Sequence, residues 1–189
     1  MAKKVVRKKF AVAYDVHVQI AHIAPPIWRR LLVPSTTSLD VMHVIIQEAF
    51  GWQDYHLYSF ERHAAAFERP NPESSAEDAT RITLADLALS VSDELRYIYD
   101  FGDDWEHQLR IDAILPLDPN LHYPHCLDGA RAGPPEDTGG PPGYEHLLTV
   151  LGNRKHPSYS EMRAWVGAHF HPEVFDVRAT NRIFELAFE

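Results

Sequence analysis

The sequence predicts an α+β fold with a mostly antiparallel sheet, and three patterns favour this class. Residues 10–20 alternate apolar and polar side chains, which is typical of a strand with one buried face. Residues 39–50 instead carry apolar side chains at helical spacing and form the one prominent predicted helix. Residues 95–101 and 105–115 flank Gly102 as the two arms of a hairpin. With 189 residues, near the usual size of one domain (about 100–200 residues), we expect a single domain over residues 10–189.

In the first quarter of the chain, prolines and caps set the element boundaries. Pro25-Pro26 ends the first strand, and residues 27–33 predict a second strand before Pro34. Thr37 followed by Asp40 resembles a capping signal for the helix at 39–50, and Gly51 supplies its end.

The middle of the chain predicts short strands and the hairpin. Residues 56–61 and 64–68 are predicted strands, whereas 70–80 are polar and rich in breakers and predict a loop. Thr83 can cap a helical turn. On the second hairpin arm Trp105, His107, Leu109 and Ile111 share one face of the predicted strand. Gly102 is expected to take the positive φ of the turn.

The last third predicts a long loop and then helices. Residues 116–143 are rich in Pro and Gly, and a loop of this length is usually functional or disordered. Residues 144–151 predict a helix, and Ser158 with Glu161 forms a capping box for a helix extending to residue 166. The apolar segment 183–188 fits a strand or a helix. We expect these C-terminal helices to pack on the sheet.

The charge distribution separates a basic arm from an acidic body. Five of the 18 Lys and Arg residues lie in residues 1–9, a predicted flexible arm, which leaves 13 against 27 Asp and Glu, or a net charge of −14, for residues 10–189. Such a body repels phosphate backbones, so we expect nucleic-acid contacts only through the arm or through Arg29 and Arg30. With Cys126 as the single cysteine and no membrane-spanning stretch, a cytoplasmic protein without a membrane partner is expected.

Several motifs together resemble one known family. They are Pro26-Ile27-Trp28-Arg29-Arg30, residues 39–43, Phe50-Gly51-Trp52 with His56-Leu57, Tyr99-Asp100-Phe101-Gly102-Asp103 with Trp105 and His107, and Pro134-Pro135-Glu136-Asp137 with Gly139-Gly140 and Gly143-Tyr144. In this order, from about residue 14 to residue 175, they are similar to the plasmid pRiA4b open-reading-frame-three-like family.

The resemblance implies an α+β fold in a bacterial or archaeal protein that is often carried on plasmids and insertion sequences. Members are labelled as transposon passengers or resolvase-like proteins without an agreed activity. Many relatives carry cysteines beside Pro-Pro-Glu-Asp, whereas this chain has Gly133 and Thr138 there, which weakens a thiolate metal site in the loop.

Histidines and carboxylates supply the candidate site. His43, His56 and His107 are the candidate metal ligands, because imidazoles and carboxylates suit Zn, Mn or Fe. The candidate catalytic groups are His107, Asp100, Asp103, Glu136 and Asp137, with Asp104 nearby. In the alternative, structural interpretation His43 packs on the inner side of the helix and His107 bonds a hairpin carbonyl. Asp100 and Asp103 then form Asx-type bonds in the turn, and Glu136 or Asp137 caps backbone donors.

Two further groups of residues are candidate sites. His122, His125 and Cys126, with Asp128 nearby, resemble a metal-ligand cluster but fall short of a closed tetrahedral site. The candidate ligand-binding residues are Trp28, Arg29, Arg30 and Trp105. The Arg29–Arg30 pair beside Trp28 is the best candidate site for an anionic partner.

The leading hypothesis is therefore a non-enzymatic accessory or binding domain associated with mobile DNA. It would hold a protein, a peptide or a small ligand in a groove between the hairpin and the Pro-Pro-Glu-Asp loop. The alternative is a metal-assisted hydrolase or nuclease that uses the His and Asp residues around the hairpin. No cofactor is established by the sequence; a divalent metal is the one candidate.

Overall fold

A computed structural model describes residues 12–188, and it confirms an α+β fold. The predicted basic arm, residues 1–9, lies outside the described residues. Among the described residues, eight strands form one sheet in the order β5-β4-β3-β6-β7-β1-β2-β8, and each neighbouring pair is antiparallel except β4 with β5. The elements are β1 Val12–Ile20, β2 Trp28–Pro34, α1 Leu39–Phe50, β3 Tyr58–Arg62, β4 Ala65–Glu68, β5 Glu77–Asp78, β6 Glu94–Tyr99, β7 Trp105–Pro116, β8 His125–Ala130, α2 Gly140–Gly152, α3 Tyr159–Val166 and α4 Val177–Ala187.

Strands β1 and β7 lie in the middle of the sheet and position the hairpin turn. The predicted face of β7, with Trp105, His107, Leu109 and Ile111, is buried. In the register of this pair Ile20 lies opposite His107, so the turn at 100–104 extends from the end of the sheet where β1 finishes. A bulge between Asp15 and Val16 shifts the register farther along β1.

Helix α1 covers the predicted residues, but its cap differs from the prediction. Ser38, not Thr37, is the N-cap, and its hydroxyl accepts a 3.3 Å hydrogen bond from the Val41 amide. Gly51 ends the helix at φ 81°, as predicted. The buried face of α1 includes two polar side chains, His43 and Gln47.

Several local predictions were wrong or incomplete. The predicted loop 116–143 contains the edge strand β8, and the loop 70–80 contains the two-residue strand β5. Helix α2 begins at Gly140, before Tyr144. Ser158 precedes α3 without a side-chain capping bond. In the hairpin turn, Asp100 and Asp104 take positive φ, at 55° and 54°, instead of Gly102.

The C-terminal helices complete the fold. The segment 183–188, which fitted either a strand or a helix, falls largely within α4, which packs against β8 and α1. Helix α3 packs against α2. Within residues 12–188 no helix combines the length and the apolar character needed to cross a bilayer.

Candidate functional site

Three segments meet at one end of the sheet: residues 51–57 after α1, the hairpin turn 100–104, and residues 134–139 before α2. The Asp100 amide donates to the Leu57 carbonyl at 2.9 Å, which joins the turn to the first segment. The Gly139 amide donates to Asp103 Oδ2 at 2.9 Å, which joins the turn to the third. These bonds fix the three segments relative to one another.

Aromatic side chains pack where these three segments meet. Trp52 is buried, its Nε1 donates to the Pro134 carbonyl at 2.8 Å, and its ring centroid lies 5.0 Å from that of Tyr99. The Tyr99 hydroxyl donates to Glu136 Oε1 at 2.9 Å. Burial, together with the bond to that carboxylate, raises the pKa of Tyr99, so the hydroxyl remains a donor at neutral pH.

Glu136 ties the loop 134–139 to the segment after α1, as the structural interpretation expected of a capping carboxylate. Its Oε1 accepts from the Gln53 amide at 2.9 Å as well as from Tyr99. Its Oε2 is buried and has no hydrogen-bond partner among the described residues. Glu136 therefore has a positioning contact through one oxygen and unused acceptor capacity on the other.

The turn itself is built by side-chain and backbone contacts. Asp100 Oδ1 accepts from the Gly102 amide at 2.9 Å, the Asx-type bond that was predicted. Asp103 makes its bond to Gly139 across to the other segment instead of within the turn. Gly140 packs so tightly on this turn that an added Cβ would lie 2.2 Å from the Asp103 carbonyl oxygen.

His56, Asp100 and Asp137 converge at this corner, one from each segment. His56 Nε2 lies 3.1 Å from Asp137 Oδ1 and 3.6 Å from Asp100 Oδ2, and one ligand atom from each of the three lies within 4.8 Å of the other two. The side chain of Asp100 is 11% exposed, that of His56 30% and that of Asp137 70%, so the group opens to solvent. One imidazole nitrogen and two carboxylate oxygens suit Zn²⁺ or Mn²⁺.

His43, a predicted metal ligand, lies in a different network. Its Nε2 bonds Asp54 Oδ1 and its Nδ1 bonds the Tyr97 hydroxyl, each at 2.8 Å. Gln47 completes this hydrogen-bond network, because its Nε2 donates to the Tyr97 hydroxyl and its Oε1 accepts from the Asp54 amide. A carboxylate only accepts, so Nε2 carries the proton and Nδ1 accepts from Tyr97. Burial lowers the pKa of His43, which is therefore a neutral structural group.

His107, proposed both as a ligand and as a catalytic group, is fully buried. Its Nδ1 donates to the Trp105 carbonyl at 2.9 Å, as the structural interpretation predicted, while its Nε2 has no partner among residues 12–188. Burial lowers the pKa of His107 to about 3. Neither His43 nor His107 belongs to the group formed by His56, so the structure does not bring the three histidines together as one ligand set.

In the candidate basic-aromatic patch of Trp28, Arg29 and Arg30, the Arg29 side chain makes contacts within the protein. Arg29 is buried; its guanidinium donates to the carbonyls of Ala49, Trp28 and Ala130 and lies 3.7 Å from the ring centroid of Phe175. Burial lowers the pKa of Arg29 to about 10. These contacts occupy the Arg29 guanidinium, so it is not open to an anionic partner.

The other candidate ligand-binding residues also have internal partners. Arg30 is paired in bidentate fashion with Asp15, whose side chain is buried. Trp28 stacks on His17 at 5.1 Å, and Trp105 is buried completely.

The His122–Cys126 cluster lies at β8. Cys126 is buried, and burial raises the pKa of its thiol to about 11. Burial also lowers the pKa of His125. Of the residues that the structure describes, only His56, Asp100 and Asp137 form a group of three or more side chains with metal-ligand spacing, and this cluster is not part of it.

Between the hairpin and the Pro-Pro-Glu-Asp loop, where a groove was expected, Asp103 contacts Gly139 and Gly140. A cleft of about 490 Å³ lies instead on the side of α2 and α3, between Asp137 and Trp165. No sequence signal pointed to this cleft, because the exposure of Trp165 depends on how α3, a helix with no buried residue, packs in the fold.

Comparisons with known proteins cover most of the chain. Residues 12–179 match the model of the plasmid pRiA4b ORF-3-like protein family. The chain is 34% identical to the uncharacterized protein y4hQ of Sinorhizobium fredii (strain NBRC 101917 / NGR234) over 80% of this chain and 79% of that protein. It is also similar to the crystal structure of MM3350, a protein of unknown function from Methanosarcina mazei Go1. That similarity has a TM-score of 0.83 and 35% identity and covers 90% of this chain and 98% of the other.

Proposed function

The chain belongs to the plasmid pRiA4b ORF-3-like family, and from this premise we propose that it is a cytoplasmic accessory protein of plasmids or transposons that binds a divalent cation and, through it, a ligand. The observation that carries the proposal is the convergence of His56, Asp100 and Asp137. We name this set the cation corner.

The rigidity of the corner supports a binding role. Asp100 is held by its own turn, and His56 and Asp137 belong to segments that are hydrogen-bonded to each other and to that turn. Ligands that are already in place lose little conformational entropy when a cation binds. Because one nitrogen and two oxygens leave coordination positions open, a bound cation can accept a further ligand.

The charge of the surroundings favours a small ligand or a protein over nucleic acid. Asp103, Asp104 and Glu136 flank the corner, and the body of the protein carries a net charge of −14 from residue 10 onward. The negative charge of the protein would repel many phosphates of a nucleic acid at once. A ligand with a single acid group can instead be neutralised by the bound cation alone.

The open coordination positions also favour a second candidate, a metal-assisted hydrolase. A cation with free positions can lower the pKa of a bound water and polarise a phosphoryl or carbonyl group. His56 and both carboxylates would then hold the cation, and Glu136, which precedes Asp137 in sequence, has a buried Oε2 without a partner among the described residues.

Titration calorimetry tests the proposed binding. Protein purified without a metal-affinity tag and stripped with a chelator is titrated with Mn²⁺ and with Zn²⁺. We expect one cation per chain, and we expect His56→Ala, Asp100→Asn and Asp137→Asn each to weaken binding about tenfold or more. The exposed His169 provides the control, because His169→Ala removes a histidine outside the corner. Equal affinity in His56→Ala and the wild type would contradict the proposal.

A hydrolysis assay separates the two candidates. Cation-loaded protein is incubated with bis(4-nitrophenyl) phosphate, and release of nitrophenol is followed. Under the binding function the wild type and His56→Ala release it equally slowly. A cation-dependent rate that is lost in His56→Ala would establish the hydrolase instead.

A further inference from the structure

The cleft of about 490 Å³ begins at the cation corner, because Asp137 belongs to both. From Asp137 it extends along α2 and α3, where Leu147, Met162 and Trp165 contribute its apolar lining and Glu161 an acidic group. This volume lies within the range of small-molecule sites, roughly 300–1,000 Å³.

Trp165 gives the cleft an uncovered aromatic wall. Trp165 is 50% exposed, whereas Trp52 and Trp105 are buried in the core. Met162, one turn earlier on α3, lines the same cleft and is partly buried against the core. An aromatic ring and a thioether side by side suit the flat or aliphatic body of a small molecule.

We propose that this cleft takes a small organic acid whose carboxylate or phosphate binds the cation at Asp137 and whose apolar body lies against Met162 and Trp165. This inference rests on the proposed function, since it names the ligand of the cation corner. It goes further, because it fixes both the charge and the shape of that ligand.

The charges of the cleft make the two binding events interdependent. Without a cation, Asp137 and Glu161 repel an acid and favour an amine. A divalent cation at the corner reverses the preference at the Asp137 end. By thermodynamic linkage, the factor by which the bound cation raises the affinity for the acid equals the factor by which the bound acid raises the affinity for the cation.

Three probes that share one aromatic body test the inference: naphthalene-2-acetate, 2-naphthyl phosphate and 2-(naphthalen-2-yl)ethylamine. Each is titrated calorimetrically into the wild-type protein with saturating Mn²⁺ and with a chelator. We expect at least one of the two acids to bind about tenfold more tightly with Mn²⁺, and the comparison between them distinguishes a carboxylate site from a phosphate site. Trp165→Ala should weaken that binding about tenfold and leave the affinity for Mn²⁺ alone unchanged. The control is Leu186→Ala, which truncates an exposed apolar side chain on α4.

Each outcome decides between the two proposals. If Mn²⁺ binds at the corner but neither acid binds in a Mn²⁺-dependent manner, the cleft proposal is overturned and the cation corner stands. If the amine binds better than both acids in the presence of Mn²⁺, the cleft is an amine site. If neither Mn²⁺ nor Zn²⁺ binds at the corner, both proposals fail together; if only Zn²⁺ binds, the three probes are titrated with Zn²⁺ instead.

Discussion

The side-chain amide of Asn181 pairs with the backbone of Cys126 as a neighbouring strand would. Asn181 Oδ1 accepts from the Cys126 amide at 2.7 Å, and Asn181 Nδ2 donates to the Cys126 carbonyl at 2.9 Å. Cys126 lies in β8, the last strand of the sheet, so one residue of α4 satisfies two backbone groups at the sheet edge. Unpaired edges of this kind otherwise invite association between sheets.

Replacing Asn181 should therefore both destabilise the protein and expose its edge. We expect Asn181→Ala to lower the free energy of unfolding by about 2 kcal/mol, because two backbone groups of a buried residue lose their partners. Urea denaturation measures this loss, and light scattering after size exclusion measures association. Arg182→Ala, an exposed change on the same helix, is the control and should stay within about 0.5 kcal/mol of the wild type. A variant as stable as the wild type would show that water replaces the amide.

Arg29 also donates to backbone carbonyls, and we expect its replacement to lower the free energy of unfolding more than Asn181→Ala does. Its guanidinium serves three carbonyls and lies between the rings of Phe50 and Phe175. We expect Arg29→Met to lower the free energy of unfolding by about 3 kcal/mol, because buried carbonyls such as that of Ala49 lose their donor.

The matched control for Arg29 is Arg110→Ala. It breaks an exposed pair with Asp112, which should cost about 0.5 kcal/mol. Chemical denaturation of both variants provides the comparison. If Arg29→Met is as stable as the control, the apolar replacement fills the site and the three hydrogen bonds contribute little net stability.

The buried His107 predicts how stability depends on pH. Its pKa is lowered to about 3 in the folded protein, whereas an unfolded histidine titrates near about 6.5. The unfolded state therefore takes up a proton first as the pH falls. The contribution of neutral His107 to the free energy of unfolding is complete above about pH 7. It declines below that pH and is smaller by about 2 kcal/mol at pH 5.

Unfolding free energies of the wild type and of His107→Gln, measured from pH 8 to pH 5, test this sign. We expect the variant to lose less stability on acidification by about 2 kcal/mol, even if it is less stable at pH 8. His169→Gln, an exposed change, should keep the wild-type slope. Parallel curves for the wild type and His107→Gln would show that His107 becomes protonated inside the folded protein.

The sequence predicted those features that depend on neighbours along the chain. Helix α1 and the arms of the hairpin follow from periodicity and from Gly51, and they were predicted nearly to the residue. Strand β8 was missed because its residues include Gly129 and follow a stretch rich in proline, and because its pairing with β2 is set by tertiary contacts.

Arg29 shows a signal that was available but not used. On β2, Arg29 shares a face with Leu31 and Val33, which are both buried. The period-two alternation of the strand therefore already places Arg29 on the buried face of the sheet. Its basic character and its position beside Trp28 led to the anionic-partner interpretation instead.

The site was predictable as individual residues but not as a group. His56 and Asp137 were both candidates, yet they are 81 positions apart, and no spacing rule joins residues from separate loops. His43 and His107 were equally plausible in sequence. Their burial, which comes from the packing of α1 on the sheet, separates them from the cation corner.

Gly140 connects the stability of the corner with the proposed binding of a cation. It has φ +67°, and a Cβ would lie 2.2 Å from the carbonyl oxygen of Asp103. Gly140→Ala must therefore push the loop that carries Asp137 away from the turn that carries Asp100. We expect the free energy of unfolding to fall by about 3 kcal/mol and Mn²⁺ binding to weaken about tenfold, measured by denaturation and calorimetry.

Gly152→Ala is the matched control, because Gly152 ends the same helix and a Cβ there meets nothing within 4 Å. Alanine forms helix better than glycine by about 1 kcal/mol, so this variant should be as stable as the wild type or more stable, with unchanged Mn²⁺ affinity. If Gly140→Ala folds less stably but binds Mn²⁺ as the wild type does, the contact with Asp103 supports the fold alone. Joint loss of stability and affinity would instead mean that the spacing of Asp100 and Asp137 is set by this glycine.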